Sequence, residues 1–143
     1  MKAKLAAILL LSFFTGSSSV PEGWEVFKKV TFKAEYFEEV DAYFEVPVFD
    51  DELKAKEGSS VTLSGYFIPI EVDTIFVLSA MPFSSCFFCG GAGPETVAEV
   101  RMAKIPDYLG PDSFIKVKGQ LELNATDINF MNFILNDAEF VKD

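Results

Sequence analysis

The sequence predicts a mainly β protein, folded as an OB-like five-stranded Greek-key barrel with one short helix between strands 3 and 4. Short segments of alternating apolar and polar residues recur along the chain, and turn residues separate them. One helical pattern lies between the third and fourth principal strands, as the barrel requires. The 143 residues are 50% apolar, which is enough for a single domain with its own core. A β-sandwich is the alternative architecture.

Six segments are predicted to be strands because they alternate with a period of two or form a short continuous apolar run. They are Val30–Tyr36, Tyr43–Phe49, Val61–Ile68, Thr74–Ala80, Phe114–Leu123 and Met131–Val141. Pro47 lacks an amide proton, so the second segment is expected at an edge or a bend. Gly65 and Gly119 stand where a barrel strand bends. Asp50–Gly58 is predicted to be a charged connection with a helical turn around Leu53.

The one predicted helix of several turns covers Pro94–Lys104. Gly93 can serve as its N-cap, and Pro94 suits the first helical position because its missing N–H has no partner there anyway. Val97 and Val100 follow the spacing of one helix face. This helix would fill the place between strands 3 and 4 of the barrel.

Residues 1–19 have the pattern of a secretory signal peptide. Two lysines precede an apolar stretch over residues 5–14, and small residues lead to a cleavage position after Ser19. The apolar stretch is too short to span a bilayer. We therefore expect an exported, periplasmic protein that is not transmembrane, with residues 20–143 forming its single OB-like domain.

The composition excludes several classes of function. Histidine is absent, which removes Ser-His-Asp triads, Cys-His pairs and histidine-based zinc sites. Acidic residues outnumber basic ones by 22 to 12, for a net charge of −10. Nucleic-acid binding needs a basic face, so no nucleic-acid partner is expected. We expect a protein that is not an enzyme.

Cys86 and Cys89 are the two cysteines of the chain, and their C-x-x-C spacing marks the segment that can carry chemistry. A c-type haem would need histidine where Gly90 stands. Three interpretations remain open. The pair could be a redox dithiol, two thiolate ligands of a soft metal with Glu95 as third ligand, or a passive local disulfide.

Three segments of the sequence resemble a known family. They are GYFIPI at residues 65–70, CFFCGGAGPE at residues 86–95 and VKG at residues 117–119. They resemble small exported proteins of Bacteroidetes type, which are related to a broader family of periplasmic lipoproteins of unknown function. The resemblance implies an OB-like fold in the cell envelope. The broader family has a histidine close after a single cysteine, so its metal assignment does not carry over to Cys89.

The expected function is that of a non-enzymatic envelope protein whose C-x-x-C loop binds zinc or copper or takes part in metal handling. Cys86, Cys89 and Glu95 would be the ligands, and an envelope membrane protein or transporter would be the partner. One alternative is a thiol–disulfide redox protein with Cys86 as nucleophile and Cys89 as resolving thiol. The other is a structural or partner-binding module in which the pair is a passive disulfide.

Overall fold

The structure is a computed structural model that describes residues 21–142. The predicted signal peptide, residues 1–19, lies outside the described residues. Within residues 21–142, seven strands and one α-helix follow in the order β1 (Thr31–Phe37), β2 (Ala42–Val48), α1 (Asp51–Lys56), β3 (Ser60–Pro69), β4 (Ile75–Ser79), β5 (Val97–Arg101), β6 (Phe114–Leu123) and β7 (Phe133–Phe140). A 3₁₀ helix, Trp24–Lys29, precedes β1. In this part of the chain, no helix has the length and apolar character needed to cross a membrane.

Strands β3 to β7 form a closed five-stranded barrel in the order β3-β4-β5-β7-β6, with β6 pairing back to β3. Only β5 and β7 are parallel; the other neighbours run antiparallel. If the five barrel strands are numbered 1 to 5 along the chain, their order around the barrel is 1-2-3-5-4, and strand 4 closes on strand 1. The predicted OB-like Greek-key barrel is therefore confirmed.

The helix predicted over Pro94–Lys104 is wrong. A 3₁₀ turn, Pro94–Thr96, leads directly into β5, which lies between β4 and β7 in the barrel wall. Val97 to Val100 are all buried, so both faces of this strand are covered. Apolar residues on both faces of a short strand produce, by coincidence, the spacing of one helix face. The connection from β5 to β6 contains no α-helix, so the helix expected between strands 3 and 4 is absent there.

Elements before the barrel supply part of its core instead. Trp24 and Phe27, from the 3₁₀ helix, are buried with Leu53 from α1 in the cluster that fills the barrel. The Phe27 ring stacks on Phe133 of β7 with centroids 4.1 Å apart. Asp50 caps α1 by accepting the Leu53 N–H at 2.8 Å, which confirms the helical turn predicted around Leu53.

The two glycines predicted at strand bends both lie at close approaches of backbone. A Cβ on Gly65 would overlap the carbonyl oxygen of Ser79 on β4. The β6–β7 register shifts between Lys118 and Gln120, which places an irregularity at Gly119. These positions let the sheet coil tightly enough to close.

Candidate functional site

The Cys86–Cys89 segment is a pair of tight turns between β4 and β5. One 3₁₀ turn covers Phe83–Ser85 and a second covers Phe87–Cys89. The carbonyl of Cys86 accepts N–H groups from both Cys89 and Gly91 at 3.1 Å. Gly90 ends the second turn with φ of 74°, a conformation that favours glycine. The C-x-x-C motif is thus held by its own backbone rather than by a long helix.

The start of this loop is fastened to the connection that precedes β6. The Asp112 carboxylate accepts the Phe83 N–H at 2.8 Å. Asp112 itself has φ of 62°, a left-handed conformation that aspartate tolerates better than most residues. This contact fixes the loop from outside its own turns.

The two thiols have different environments. Cys86 is 0% exposed and packs with Ile68, Val77 and Val97 in a small apolar cluster apart from the main core. Cys89 is exposed, and its Sγ donates to the carbonyl oxygen of Phe83 at 3.0 Å. Both cysteines are free thiols. One sulfur is therefore sealed beneath the loop while the other faces solvent.

The pKa of the Cys89 thiol is raised above its ordinary value. The largest cause is partial removal from water, and a hydrogen bond with Cys86 and repulsion between the two sulfurs add to it. A redox nucleophile needs an accessible thiol with a lowered pKa. Cys86, the nucleophile of the redox interpretation, is buried. The pKa of Cys89 is raised rather than lowered. The geometry therefore does not favour redox catalysis.

Glu95 does not join the two sulfurs. It lies in the Pro94–Thr96 turn, and its carboxylate folds back against Gly93. Within residues 21–142, no group of three or more cysteine, aspartate or glutamate side chains could hold a metal ion. The structure thus brings Cys86 and Cys89 together but leaves Glu95 outside the pair. The three-ligand metal site stays a prediction.

A groove of about 400 Å³ lies beside the cysteine loop, on the face formed by β4 and β5. Val77 and Glu99 contribute from these two strands. The walls come from three loops, and their exposed apolar members are Ile70 from the β3–β4 connection, Phe87 and Phe88 from the cysteine loop, and Ile128 and Phe130 from the β6–β7 loop. Ile70, Phe87 and Phe88 lie in the segments that carry the family resemblance, but the sequence did not predict that they share a groove with Ile128 and Phe130.

Glu99 is a buried charge in the groove, and it is paired. It is 6% exposed, and its carboxylate accepts the Arg101 Nε–H at 2.7 Å and the Met131 N–H at 3.4 Å. The Arg101 guanidinium carbon lies 4.8 Å from the centre of the Phe130 ring. This chain of contacts ties β5 to the β6–β7 loop and cancels the charge of Glu99.

The β6–β7 loop is organised around Asn124. Its side-chain nitrogen donates to the carbonyl oxygens of Asp127, Phe130 and Met131 at 2.7, 3.2 and 3.2 Å. Its side-chain oxygen accepts the N–H groups of Thr126 and Asp127. The two amide hydrogens are shared among the three carbonyl oxygens, so this one side chain contacts five backbone groups and holds Phe130 at the groove.

The fold and site define a class, an OB-like barrel with an aromatic groove on the face of its second and third strands. Comparison of the chain with protein-family models, curated proteins and solved structures finds no match. The resemblance to the exported Bacteroidetes-type family therefore stays a prediction from residues 65–70, 86–95 and 117–119.

Proposed function

We propose that this protein is a non-enzymatic binding module whose ligand occupies the β4–β5 groove. The observation that carries the proposal is the position of the groove. OB barrels bind oligonucleotides and oligosaccharides on the face of strands 2 and 3, between the loops that follow strands 1 and 4. Here those elements are β4, β5, the Ile70 loop and the Ile128–Phe130 loop, all of which line the groove.

The chemistry of the groove favours a neutral oligosaccharide. Three exposed rings, those of Phe87, Phe88 and Phe130, offer flat apolar faces, and a sugar ring presents a matching face of C–H groups. Asn129 and Asn132 also line the groove. Each side-chain nitrogen already makes one hydrogen bond within the β6–β7 loop, which leaves the second N–H and the amide oxygen of each for ligand hydroxyl groups. Glu99 is neutralised by Arg101, and the net charge of −10 disfavours a nucleic acid. A neutral polyhydroxylated ligand meets no charge penalty here.

The proposal includes the cell envelope as the place of action. Its basis is the signal peptide predicted over residues 1–19, which would deliver the domain across the membrane. In the envelope, the module presents its ligand to a membrane protein or transporter, the partner class expected from the sequence. The cysteine loop then serves as one wall of the groove, with buried Cys86 anchoring Phe87 and Phe88.

The direct test is a titration of the purified protein with cellohexaose and with chitohexaose, followed by two-dimensional NMR. We expect saturable shifts confined to residues 87–88 and 128–132. Phe88→Ala should weaken binding at least tenfold, equivalent to about 1.4 kcal/mol. Phe114→Ala is the matched control because Phe114 is 58% exposed, against 53% for Phe88, but lines a separate depression. Absence of shifts at millimolar sugar, or equal losses in both variants, would refute an oligosaccharide site.

A second candidate function is soft-metal binding at the two sulfurs, and the contact between the two free thiols favours it. Two thiolates fit Cu(I) better than Zn(II), because zinc in proteins takes four ligands in structural sites.

Anaerobic titration of the protein with Cu(I) and with Zn(II) tests the metal site. Stoichiometric binding that is lost in Cys86→Ser and in Cys89→Ser supports the site, and retention in Glu95→Gln would remove Glu95 from the ligand set. Equal uptake by wild type and both cysteine variants would exclude it.

A further inference from the structure

The β1–β2 hairpin is a two-stranded sheet to which no other strand pairs in the part of the chain that the structure describes. Five of the seven β1 residues are exposed, and large side chains such as Tyr36 and Tyr43 face solvent. A two-stranded hairpin is marginal in water and gains stability when further strands extend it. The hairpin therefore offers an edge for strand addition.

The two edges differ in their ability to accept a strand. Pro47 in β2 has no N–H to donate, and it is buried together with Val46. β1 contains no proline, so its outward N–H and C=O groups form an unbroken row. Strand addition is therefore expected at β1.

We propose that β1 pairs with β1 of a second copy of this chain, antiparallel across a two-fold axis at Ala34, to form a four-stranded sheet. In this register Lys33 stands opposite Glu35 of the partner subunit, and the same pair recurs across the axis. Phe32 stands opposite Tyr36 of the partner subunit. Opposite charges and aromatic pairs at directly facing positions stabilise antiparallel strands. The edge is complementary to itself, as a two-fold interface requires.

The flanks of the strand continue this complementarity. The acidic tip of the hairpin, with Glu38 and Glu39, would extend past the partner's β1 toward Lys28 and Lys29 of the partner subunit. Those lysines are exposed and carry only surface ion pairs, which are easily exchanged. The overall charge of −10 opposes association only over short range, because charges are screened beyond about 8 Å at physiological salt.

A second copy fits better than a basic peptide. A lysine-rich strand would suit the acidic tip but would bring like charge against Lys33 at the middle of β1. An acidic strand would meet Glu35 two residues further along the same face. Within one chain, Lys33 and Glu35 form an exposed ion pair at 3.1 Å, which contributes little to stability and is easily exchanged. A strand that carries both signs at this spacing offers each of them an opposite charge, and β1 itself has that pattern.

A charge-swap series measured by sedimentation and multi-angle light scattering tests the register. Wild type should be dimeric at about 100 μM. Lys33→Glu and Glu35→Lys should each weaken the dimer at least tenfold, since each places like charges opposite one another at two positions. The double variant K33E/E35K should restore it, and mixing the two single variants should give a heterodimer. All substituted side chains are exposed, so the fold is not at risk. Lys54→Glu, exposed on α1, is the control that should leave the dimer unchanged.

A cross-linking experiment locates the axis independently. Directly opposed residues in an antiparallel pair lie about 4.5–5.5 Å apart between Cα atoms, within disulfide range. In a Cys86→Ser/Cys89→Ser background, Ala34→Cys should form a covalent dimer when oxidised glutathione accepts the two electrons, whereas Thr31→Cys should not. A wild type that stays monomeric at all concentrations, or a double variant that fails to restore the dimer, would overturn the proposal. Monomeric protein that binds a synthetic alternating Lys-Val peptide would assign the edge to a basic partner instead.

Discussion

The guanidinium group of Arg101 lies 4.8 Å from the centre of the Phe130 ring. The same side chain donates to the carboxylate of Glu99, which is nearly fully buried. Arg101 therefore performs two tasks, neutralising a charge inside the barrel wall and holding an aromatic ring at the groove. A residue with both tasks should be costly to remove.

We expect Arg101→Ala to lower the free energy of unfolding by about 1–3 kcal/mol, because it leaves the Glu99 carboxylate without a charged partner. Hydrogen exchange should also become faster in residues 128–131. Urea unfolding and exchange measurements check both effects. Lys28→Ala is the control, since its ion pair with Glu25 is exposed and should be worth less than about 0.5 kcal/mol. Equal destabilisation by both substitutions would contradict the assigned role.

Trp24→Phe tests the contact between the 3₁₀ helix and the barrel. The indole N–H of Trp24 donates to the Ser64 carbonyl oxygen at 2.8 Å, and this bond is buried. Its loss leaves a buried acceptor without that donor, which should cost about 1–3 kcal/mol in urea unfolding. Tyr36→Phe also removes a hydrogen-bond donor, but from an exposed contact with Asp41, and should change stability by less than about 0.5 kcal/mol. A similar cost for both would argue against a structural role for the buried bond.

Gly65→Ala tests the close approach of β3 and β4. The added methyl group would overlap the Ser79 carbonyl oxygen in the barrel wall, so strands must separate or the barrel must distort. We expect a loss of about 1–3 kcal/mol of stability, measured by thermal and urea unfolding. Gly110→Ala is matched to it, because an added Cβ meets nothing within 4 Å there. Tolerance of Gly65→Ala at the level of Gly110→Ala would show that the barrel does not need glycine at this bend.

The sequence predicted the barrel well because most of its strands show a recognisable pattern of apolar and polar residues within their own segments. Val61–Ile68 alternates between faces, and β3 has that span almost unchanged. β5 shows no alternation of this kind, since Val97 to Val100 are buried on both sides by neighbours distant in sequence. An alternating pattern identifies a strand only when one of its faces is buried and the other is exposed. A strand that is buried on both faces cannot be distinguished by its pattern from a segment of helix. The error at Pro94–Lys104 follows from that ambiguity.

The candidate site was predicted only in part for a similar reason. The C-x-x-C spacing is local, and the two sulfurs do meet. The groove, however, is assembled from Ile70, Phe88 and Phe130, which are far apart in the chain. Only the barrel closure brings them together. The adjacent pair Phe87-Phe88 in a glycine-rich loop was the available signal, because a short turn seldom buries two consecutive large rings.

The different environments of the two cysteines predict their reactivity. The raised pKa of Cys89 means less thiolate at any given pH, so its alkylation by iodoacetamide should be slow at pH 7.5. The rate should reach half its maximum above the ordinary thiol pKa of about 8.5. Cys86→Ala removes the hydrogen bond and the repulsion that raise the pKa, so the midpoint should move to lower pH. The pKa of Cys89 should nevertheless stay above its ordinary value in this variant, because its largest cause, the partial removal of the thiol from water, remains.

Cys89→Ser provides the matching measurement on Cys86. Because Cys86 is buried, its alkylation should be negligible in the folded protein at every pH and should appear only in urea. Mass spectrometry of the alkylated protein distinguishes the two sites in wild type. Rapid modification of Cys86 in native protein would show that the loop opens. It would then favour the interpretation in which Cys86 is the nucleophile of a redox pair. A Cys89 midpoint below about 8.5 would contradict the environment described for its thiol.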